Sequence, residues 1–385
     1  MDNLFITNIN INKVRHLENI NIALSDTELK HLIITGKNGS GKTSVLESVK
    51  NLFHQLSQEQ RAEELAKVDQ TSLNGATFSS GAVSVSYSTS AENALNPIYV
   101  YLPARRDNFR KPKAVEPVPE KNMYHRYDFD YITSDGVEFI QYIVNLDYNL
   151  YGAQKNGERE TAARLERWFA NFQEVLREIY DCEELQLLTD TKNHSFNIEM
   201  PGRNTFGLHE MSDGYRALLQ IVVELLMRFE EESAETFVAH ECSAIVLIDE
   251  IDAHLHVELQ RRVLKFLTKL FPNTQFIVAT HSPFVITSLE NAVVFDLEKK
   301  EMLEKPWLYS SETVVESFLD SSAYSDALAT HFQKYKELCL KERTPEENEV
   351  FLRAKAELEL MAPASKELYL AFRNLERERK AAKNG

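Results

Sequence analysis

The sequence lacks long apolar runs. Among its 385 residues, 43% are hydrophobic and 26% are charged, yet the wholly apolar stretches are as short as Ala244–Ile248. A membrane-spanning helix needs roughly 18 or more apolar residues, so we expect none. The opening MDNLFITNIN has no basic start followed by an apolar run, so no signal peptide is predicted.

Cysteine is also scarce. The three cysteines, Cys182, Cys242 and Cys339, lie far apart and form no C-x-x-C pair. We therefore expect neither a disulfide framework nor a zinc finger. Such cysteine usage is typical of a reducing compartment, and we predict a cytoplasmic protein.

Positive charge is in deficit. The chain has 43 Lys and Arg residues against 59 Asp and Glu residues, a net charge of −16. This balance excludes a protein that coats DNA with a basic surface on all sides. One local exception is Pro103–Arg126, with seven basic and three acidic residues. This segment is either a solvated basic loop or a nucleic-acid contact made by Arg105, Arg106, Arg110, Lys111 and Lys113.

Short apolar strands alternate with helical segments along most of the chain. Period-two alternation before residue 30 predicts two antiparallel strands joined by a turn around Asn12–Asn19. Further along, apolar runs predict buried parallel strands, and 3.6-residue spacing predicts helices. The strands are expected at His31–Thr35, Ser243–Asp249, Gln275–Thr280 and Val293–Leu297, and the helices at Arg159–Tyr180, Ser212–Phe229 and Val257–Leu270. This alternation predicts an α/β fold, a mostly parallel sheet with helices on its faces.

The pattern changes near residue 321, where strand signals end and charge density rises. We therefore divide the chain into an α/β head, residues 1–320, and an α-helical C-terminal region, residues 321–385, with two or three helices. Within the head we expect three lobes. They are an N-terminal lobe (1–110), an inserted helical lobe (about 111–230) and a C-terminal nucleotide lobe (231–320).

One Gly-rich segment, GKNGSGKT at Gly36–Thr43, matches G-x-x-x-x-G-K-[ST] at every position. In such a loop the glycines let backbone N–H groups turn inward around a phosphate, the Lys reaches the β- and γ-phosphate oxygens, and the Thr hydroxyl ligates Mg²⁺. The helix that follows adds the positive end of its dipole. The segment predicts binding of ATP and Mg²⁺ by Gly36, Asn38, Gly39, Ser40, Gly41, Lys42, Thr43 and Ser44.

An acidic pair ends the apolar run Ile245–Ile248. In a protein with a phosphate loop, such a strand delivers an Asp to the Mg²⁺ shell. We assign that role to Asp249, and we predict that Glu250, one residue further, is the general base for the attacking water. The alternative is a strand followed by a solvated acidic turn.

Histidines follow the acidic strand, Ser243–Asp249, and the next predicted strand, Gln275–Thr280. His281 ends the strand after the acidic one, where it is predicted to hydrogen-bond the γ-phosphate or the attacking water. Asp252, His254 and His256 have the spacing of a transition-metal site. We favour a conformational or dimer-contact role for the two histidines, because Mg²⁺ prefers oxygen ligands.

A Ser-x-Gly sequence, Ser212 to Gly214, precedes a long apolar helix. Alone it is weak, since Ser is a common helix N-cap. Its place in the order matters more: phosphate loop, Ser-x-Gly helix, acidic strand, then His. The N-terminus of such a helix is also a site where an anion can bind.

This order resembles the ATP-binding cassette (ABC) ATPases of the SMC/RecF/OLD-like branch. The similar segments are ININKVRHLENINIAL, LIITGKNGSGKTS, MSDGYRALL, VLIDEIDAHLH and ATHSP, within about residues 1–300. The resemblance implies a P-loop NTPase fold of ABC type with N-terminal antiparallel strands, and it places Arg15 near the nucleotide. It also implies that two heads sandwich two ATPs, with Ser212 and Gly214 of one chain capping the γ-phosphate held by Lys42 of the other.

The chain further resembles the ATPase subunits of Septu and retron-linked anti-phage systems, which work beside a separate nuclease. This resemblance implies an ATP-hydrolysing homodimer, or a higher oligomer built from it, that senses a trigger and regulates a separate effector, a nuclease or toxin. Two alternatives stay open. One is a RecF/SMC-like DNA-repair ATPase that binds DNA directly, and the other is a nucleotide sensor that does not hydrolyse.

Overall fold

The computed structural model describes residues 4–66, 76–88, 98–104, 137–190, 195–232, 243–303, 305–315, 326–339, 343–360, 372–377 and 379. The chain forms two compact units, Met1–Ser310 and Ser311–Gly385. The sequence placed this boundary between residues 320 and 321. The basic candidates lie outside the described residues: Arg105, Arg106, Arg110, Lys111 and Lys113.

The N-terminal strands form an antiparallel sheet in the order β2-β1-β5-β4. Its members are β1 (Ile6–Val14), β2 (Leu17–Ala23), β4 (Thr77–Ser79) and β5 (Val83–Tyr87). The predicted strand pair is confirmed, but the predicted turn at Asn12–Asn19 is too long. Burial at the hairpin end recurs every third residue, at Ile11, Val14, Leu17 and Ile20. That spacing hides the period-two signal on which a strand assignment depends.

A second sheet has six strands in the order β13-β12-β3-β11-β10-β6. Its members are β3 (His31–Thr35), β6 (Ile98–Leu102), β10 (Ala244–Ile248), β11 (Thr274–Ala279), β12 (Ala292–Asp296) and β13 (Glu301–Leu303). All pairs are parallel except β12 with β13. The predicted mostly parallel α/β fold is confirmed. The strand that carries the phosphate loop, β3, is separated from the acidic strand β10 by β11.

Helices cover this sheet and build a lobe beside it. Around the sheet lie α1 (Lys42–Ala66), α5 (Val257–Leu270) and the single turn α6 (Pro283–Ile286). The lobe contains α2 (Val137–Asn156), α3 (Arg159–Tyr180) and α4 (Asp213–Glu232), with α3 at its predicted bounds. It also holds an antiparallel sheet of β7 (Gln186–Asp190), β8 (Ser195–Glu199) and β9 (Phe206–Gly207).

One buried side chain joins the two large sheets. Gln275 in β11 accepts a hydrogen bond from the N–H of Ile6 (2.7 Å) and donates to the carbonyls of Ile6 (2.9 Å) and Lys30 (2.7 Å). Around this junction, apolar side chains of β1, β3 and α1 share a single hydrophobic cluster. Burial of this cluster fixes the start of α1, and with it the phosphate loop, against both sheets.

The second unit is helical where it is described. It contains the single turn α7 (Ser311–Thr313), α8 (Asp326–Cys339), α9 (Pro345–Leu360) and a helical segment at 372–377. Its core is a cluster around Tyr335, Phe351 and Phe372, in which the Tyr335 hydroxyl donates to the carboxylate of Glu376. Within the described part of the chain, no helix is both long and apolar enough to cross a membrane.

Buried His31 makes the stability of the head depend on pH. Its Nδ1 accepts a hydrogen bond from the N–H of Phe276 (3.1 Å), which requires an unprotonated nitrogen. Burial, helped by the charge of Lys30, lowers the pKa of His31 from 6.5 to about 4. Between these values the unfolded chain binds a proton that the folded chain does not. The free energy of unfolding therefore falls as pH falls, by about 3 kcal/mol at most.

We predict that His31→Asn, whose Oδ1 can still accept from Phe276, has a shallower decline in the free energy of unfolding. Urea denaturation of both proteins between pH 7 and pH 4 measures the difference. Other titrating groups are common to both proteins, so the gap between the two curves reports His31 alone. Two parallel curves would contradict the prediction.

Candidate functional site

The phosphate loop connects β3 to α1 and closes around the Lys42 ammonium. Lys42 Nζ donates to the carbonyls of Gly36 (2.8 Å) and Lys37 (3.1 Å). Gly36, Gly39 and Gly41 have φ values of 134°, 84° and 100°, in the region that favours glycine. The glycines of the motif are therefore needed for the backbone path that surrounds the lysine.

The loop has the features that a phosphate requires. Ser40 Oγ is buried and has no hydrogen-bond partner among the described residues. A buried hydroxyl without a partner costs free energy, and a phosphate oxygen would satisfy it. A Cβ at Gly36 would lie 2.8 Å from this Oγ, so only glycine leaves room for it. The predicted nucleotide-binding loop thus fits a phosphate by its shape and its donors.

The acidic strand reaches the same place from the other side of β11. Thr43 Oγ1 donates to Asp249 Oδ2 at 2.8 Å, and Asp249 is almost fully buried at the end of β10. A hydroxyl and a carboxylate oxygen are ligands that suit Mg²⁺, which is bound by few protein groups together with substrate phosphates. The described residues contain no group of three or more His, Cys, Asp or Glu side chains that could hold a metal ion by itself.

Glu250 lies at the exposed rim of this edge, directly after Asp249. Its φ of 45° is in the left-handed region, which is rare for a residue with a side chain. The following turn is fixed by hydrogen bonds from the N–H of Ile251 to Ala279 O (3.1 Å) and of Ala253 to Glu250 O (2.9 Å). Burial lowers the pKa of both Lys42 and His281, and the charge of Glu250 counteracts this shift in each.

His281 follows β11 and is half-buried. Burial and the positive charge of Lys42 lower its pKa below 6.5, against the opposing effects of Asp252, Glu250 and Asp249. The imidazole is therefore neutral at pH 7 and can act as a hydrogen-bond donor without adding charge. Burial likewise lowers the pKa of Lys42, and the same three carboxylates and Asp296 counteract the shift.

Two supports of the site were missed by sequence reasoning. Thr280, which is fully buried, donates from Oγ1 to the carboxylate of Asp252 and accepts from the N–H of Ser282 (2.9 Å). In the phosphate loop, Lys37 Nζ pairs with Glu298 Oε1, in the segment after β12, at 2.9 Å. The ATHSP segment contains Thr280, but nothing local in the sequence shows that its partner is 28 residues away.

The hairpin between β1 and β2 borders the loop. Arg15 is exposed in its turn, with φ 54°, and its place near the nucleotide stays a prediction. The adjoining residues touch that loop closely. A Cβ at Gly41 would lie 2.9 Å from Leu17 Cδ1 and 3.7 Å from His16 Cε1.

The Ser-x-Gly segment lies at the start of α4. Ser212 is exposed and directly precedes the helix, and its carbonyl accepts from the N–H of Arg216 (3.0 Å), as an N-cap residue does. Gly214 is buried. A Cβ there would lie 3.2 Å from Leu259 Cδ1, 3.3 Å from His254 O and 3.4 Å from His256 Cδ2. Gly214 thus packs on the loop after Glu250 and on α5.

The sheet order and the loop define a P-loop NTPase. A family model described as "AAA domain, putative AbiEii toxin, Type IV TA system" matches residues 32–287, and the chain belongs to this family. That stretch includes the phosphate loop, the acidic strand and the His281 segment.

Curated relatives come from bacterial defence systems. The chain is 24% identical to the Septu protein PtuA of Bacillus mycoides (strain KBAB4) over 77% of its own length and 41% of the relative's. It is 25% identical to the Septu protein PtuA of Bacillus thuringiensis over 66% of each chain. It is 30% identical to the Retron Ec83 probable ATPase of Escherichia coli over 32% of its own length and 21% of that protein. The chain therefore spans less than two thirds of these relatives.

Among solved structures, the SMC head domain from Thermotoga maritima matches 76% of this chain and 94% of its own. Its TM-score is 0.39 and its sequence identity is 14%.

The packing of Leu17 against the phosphate loop yields a testable difference between two glycines. Gly39 and Gly41 both have positive φ, but a Cβ at Gly39 meets nothing within 4 Å. Each Ala variant bears a backbone penalty of roughly 1–2 kcal/mol. We predict that Gly41→Ala lowers the free energy of unfolding by about 1 kcal/mol more than Gly39→Ala, because the buried Leu17 must also repack.

Chemical denaturation of the two variants and the wild type measures this difference. Gly39→Ala is the matched control, since it shares the backbone strain and lacks the contact. Equal losses in the two variants would show that Leu17 moves aside freely.

Proposed function

We propose that this chain hydrolyses ATP between two of its copies and so regulates a separate effector, a nuclease or toxin, in prokaryotic anti-phage defence. The observation that carries the ATPase part is the hydrogen bond between Thr43 and Asp249. This bond makes a hydroxyl and a carboxylate oxygen neighbours, at the edge of the sheet that also carries Lys42, Glu250 and His281. Membership of an AAA family and likeness to proteins named as probable ATPases support the same activity.

Each residue has a role that its chemistry supports. Lys42 and the backbone of the loop hold the β- and γ-phosphates, and Ser40 donates its hydroxyl to a phosphate oxygen. Thr43 and Asp249 hold Mg²⁺, which when bound neutralises phosphate charge. Glu250 takes a proton from the attacking water, which adds to the γ-phosphorus as the bond to ADP breaks. Neutral His281 orients that water or the γ-phosphate by donating a hydrogen bond.

A second copy completes the site in this proposal. The rim of the edge is open to solvent at Asn38, Gly39 and Glu250. Charge stabilisation in the transition state is strongest where water is excluded. Ser212 is exposed at the N-terminus of α4, whose dipole and N–H groups favour an anion. Ser212 and Gly214 of a partner chain would therefore close the rim over the γ-phosphate.

The defence role depends on the relatives. Similarity to the Septu PtuA proteins and to the retron ATPase supports an ATPase that acts in such a system, and the chain spans 21–66% of the length of these proteins. In this proposal the separate effector, and not this chain, cuts nucleic acid. A DNA-repair ATPase is the alternative function, since the basic segment at 103–126 carries a net charge of +4.

We predict that Glu250→Gln binds ATP but hydrolyses it at least about a hundredfold more slowly, because the amide cannot accept the proton of the water. The trapped ATP should hold two chains together, as seen by light scattering after size exclusion. Lys42→Ala should lose nucleotide binding and stay monomeric. Glu258→Gln, an exposed acid on α5, is the matched control. Full turnover by Glu250→Gln would disprove the base assignment.

The regulatory part needs a separate experiment. The chain is co-expressed with the products of its neighbouring genes, and complexes are purified through a tag on this chain. The proposal predicts a stable complex with a nuclease or toxin and no affinity of the isolated chain for DNA. Salt-dependent binding of DNA by the isolated chain would instead favour the repair ATPase.

A further inference from the structure

We infer that Thr280 and Asp252 form a positioning pair that holds the Glu250 turn against the strand carrying the phosphate loop. Neither residue would touch the reacting atoms. The inference rests on the proposed ATPase activity, but its structural half can be tested without it.

The need for such a pair arises from the backbone of Glu250. Its φ of 45° places a non-glycine residue in the left-handed region, where the Cβ crowds the backbone. A strained conformation persists only where surrounding contacts determine it. Glu250 directly follows β10 and is exposed. Contacts made by the residues that follow it help to determine its position.

Two contacts join this turn to the end of β11. The N–H of Ile251 donates to Ala279 O at 3.1 Å, and the Asp252 carboxylate accepts from the Thr280 hydroxyl. A hydrogen bond of a hydroxyl to a charged carboxylate is stronger than one between neutral groups. The two residues after Glu250 are thus each held by a hydrogen bond. Ile251 bonds to Ala279, the last residue of β11, and Asp252 bonds to Thr280, which directly follows β11.

Thr280 transmits this position to the rest of the site. Its N–H donates to Ile34 O (3.1 Å) in β3, and its Oγ1 accepts from the N–H of Ser282 (2.9 Å). One fully buried residue therefore bonds to the phosphate-loop strand, to the Glu250 turn and to the segment containing His281. Its hydroxyl donates one bond and accepts another, a combination that serine can reproduce and valine cannot.

The pair should affect turnover and not nucleotide binding. The groups that hold the nucleotide in our proposal, Lys42 and Thr43, are fixed by Gly36, Lys37 and Asp249. None of these bonds passes through the Thr280 hydroxyl. Loss of the pair would displace Glu250 from the attacking water and leave the phosphate loop intact.

We expect Thr280→Val to lower kcat for ATP by about tenfold or more, with KM changed less than about twofold. Thr280→Ser, the matched control, should keep kcat within about threefold of the wild type. Asp252→Ala removes the carboxylate that accepts the Thr280 hydrogen bond and places no valine in the buried site. It should lower kcat as Thr280→Val does. The double variant should be no worse than either single one, because both remove the same bond.

Hydrogen exchange tests the structural half whether or not ATP is hydrolysed. The amides of residues 250–253 should exchange faster in Thr280→Val and Asp252→Ala than in the wild type or Thr280→Ser. Thermal unfolding shows that each variant is folded at the assay temperature.

Several results would overturn the inference: unchanged kcat in Thr280→Val, equal effects on kcat and KM, additive losses in the double variant, or unchanged exchange. A wild type without ATPase activity would defeat the proposed function, and the exchange data would then decide on the pair alone.

Discussion

The hydrogen bond between Thr43 and Asp249 is the contact on which the arrangement of the site depends. The two residues are far apart in sequence and on opposite sides of β11, and their oxygens lie 2.8 Å apart. Only a parallel sheet brings the carboxyl ends of β3, β11 and β10 to one edge, where a ligand can reach all three. The buried strands fix the distance between these ends. The sheet is therefore what makes a loop, an acid and a histidine into a single site.

The loop at 250–256 links this edge to the helical lobe. Its first half carries Glu250 and Asp252, and its second half packs on Gly214 through His254 O and His256. Gly214 is helical and has an ordinary φ, so its lack of a side chain serves close approach and not backbone freedom. The loop that begins at the proposed base therefore contacts the start of the proposed capping helix within a single chain.

The parts of the fold and of the site that could be predicted are those marked by a local pattern of residues in the sequence. The phosphate loop, the strand before Asp249 and helix α3 were predicted because fixed spacing and burial pattern coincide there. The predicted turn at the hairpin end was too long. Buried residues recur there at every third position, as at Val14 and Leu17, and this spacing does not show the period of two that is typical of a strand. The bond between Thr280 and Asp252 could not be predicted, because it joins two loop residues whose proximity depends on the register of β10 with β11. Sequence patterns identify the chemical groups, and the tertiary fold decides their partners.

The charged groups near Lys42 affect how a triphosphate could bind. Burial lowers the pKa of Lys42, the carboxylates of Asp249, Glu250, Asp252 and Asp296 counteract this shift, and His281 adds no charge at pH 7. These groups together are negatively charged, so they would repel a bare triphosphate. A divalent cation offsets both the carboxylates and the phosphates. In the proposed function, the oxygen pair of Thr43 and Asp249 would hold that cation, so the nucleotide and Mg²⁺ would bind together.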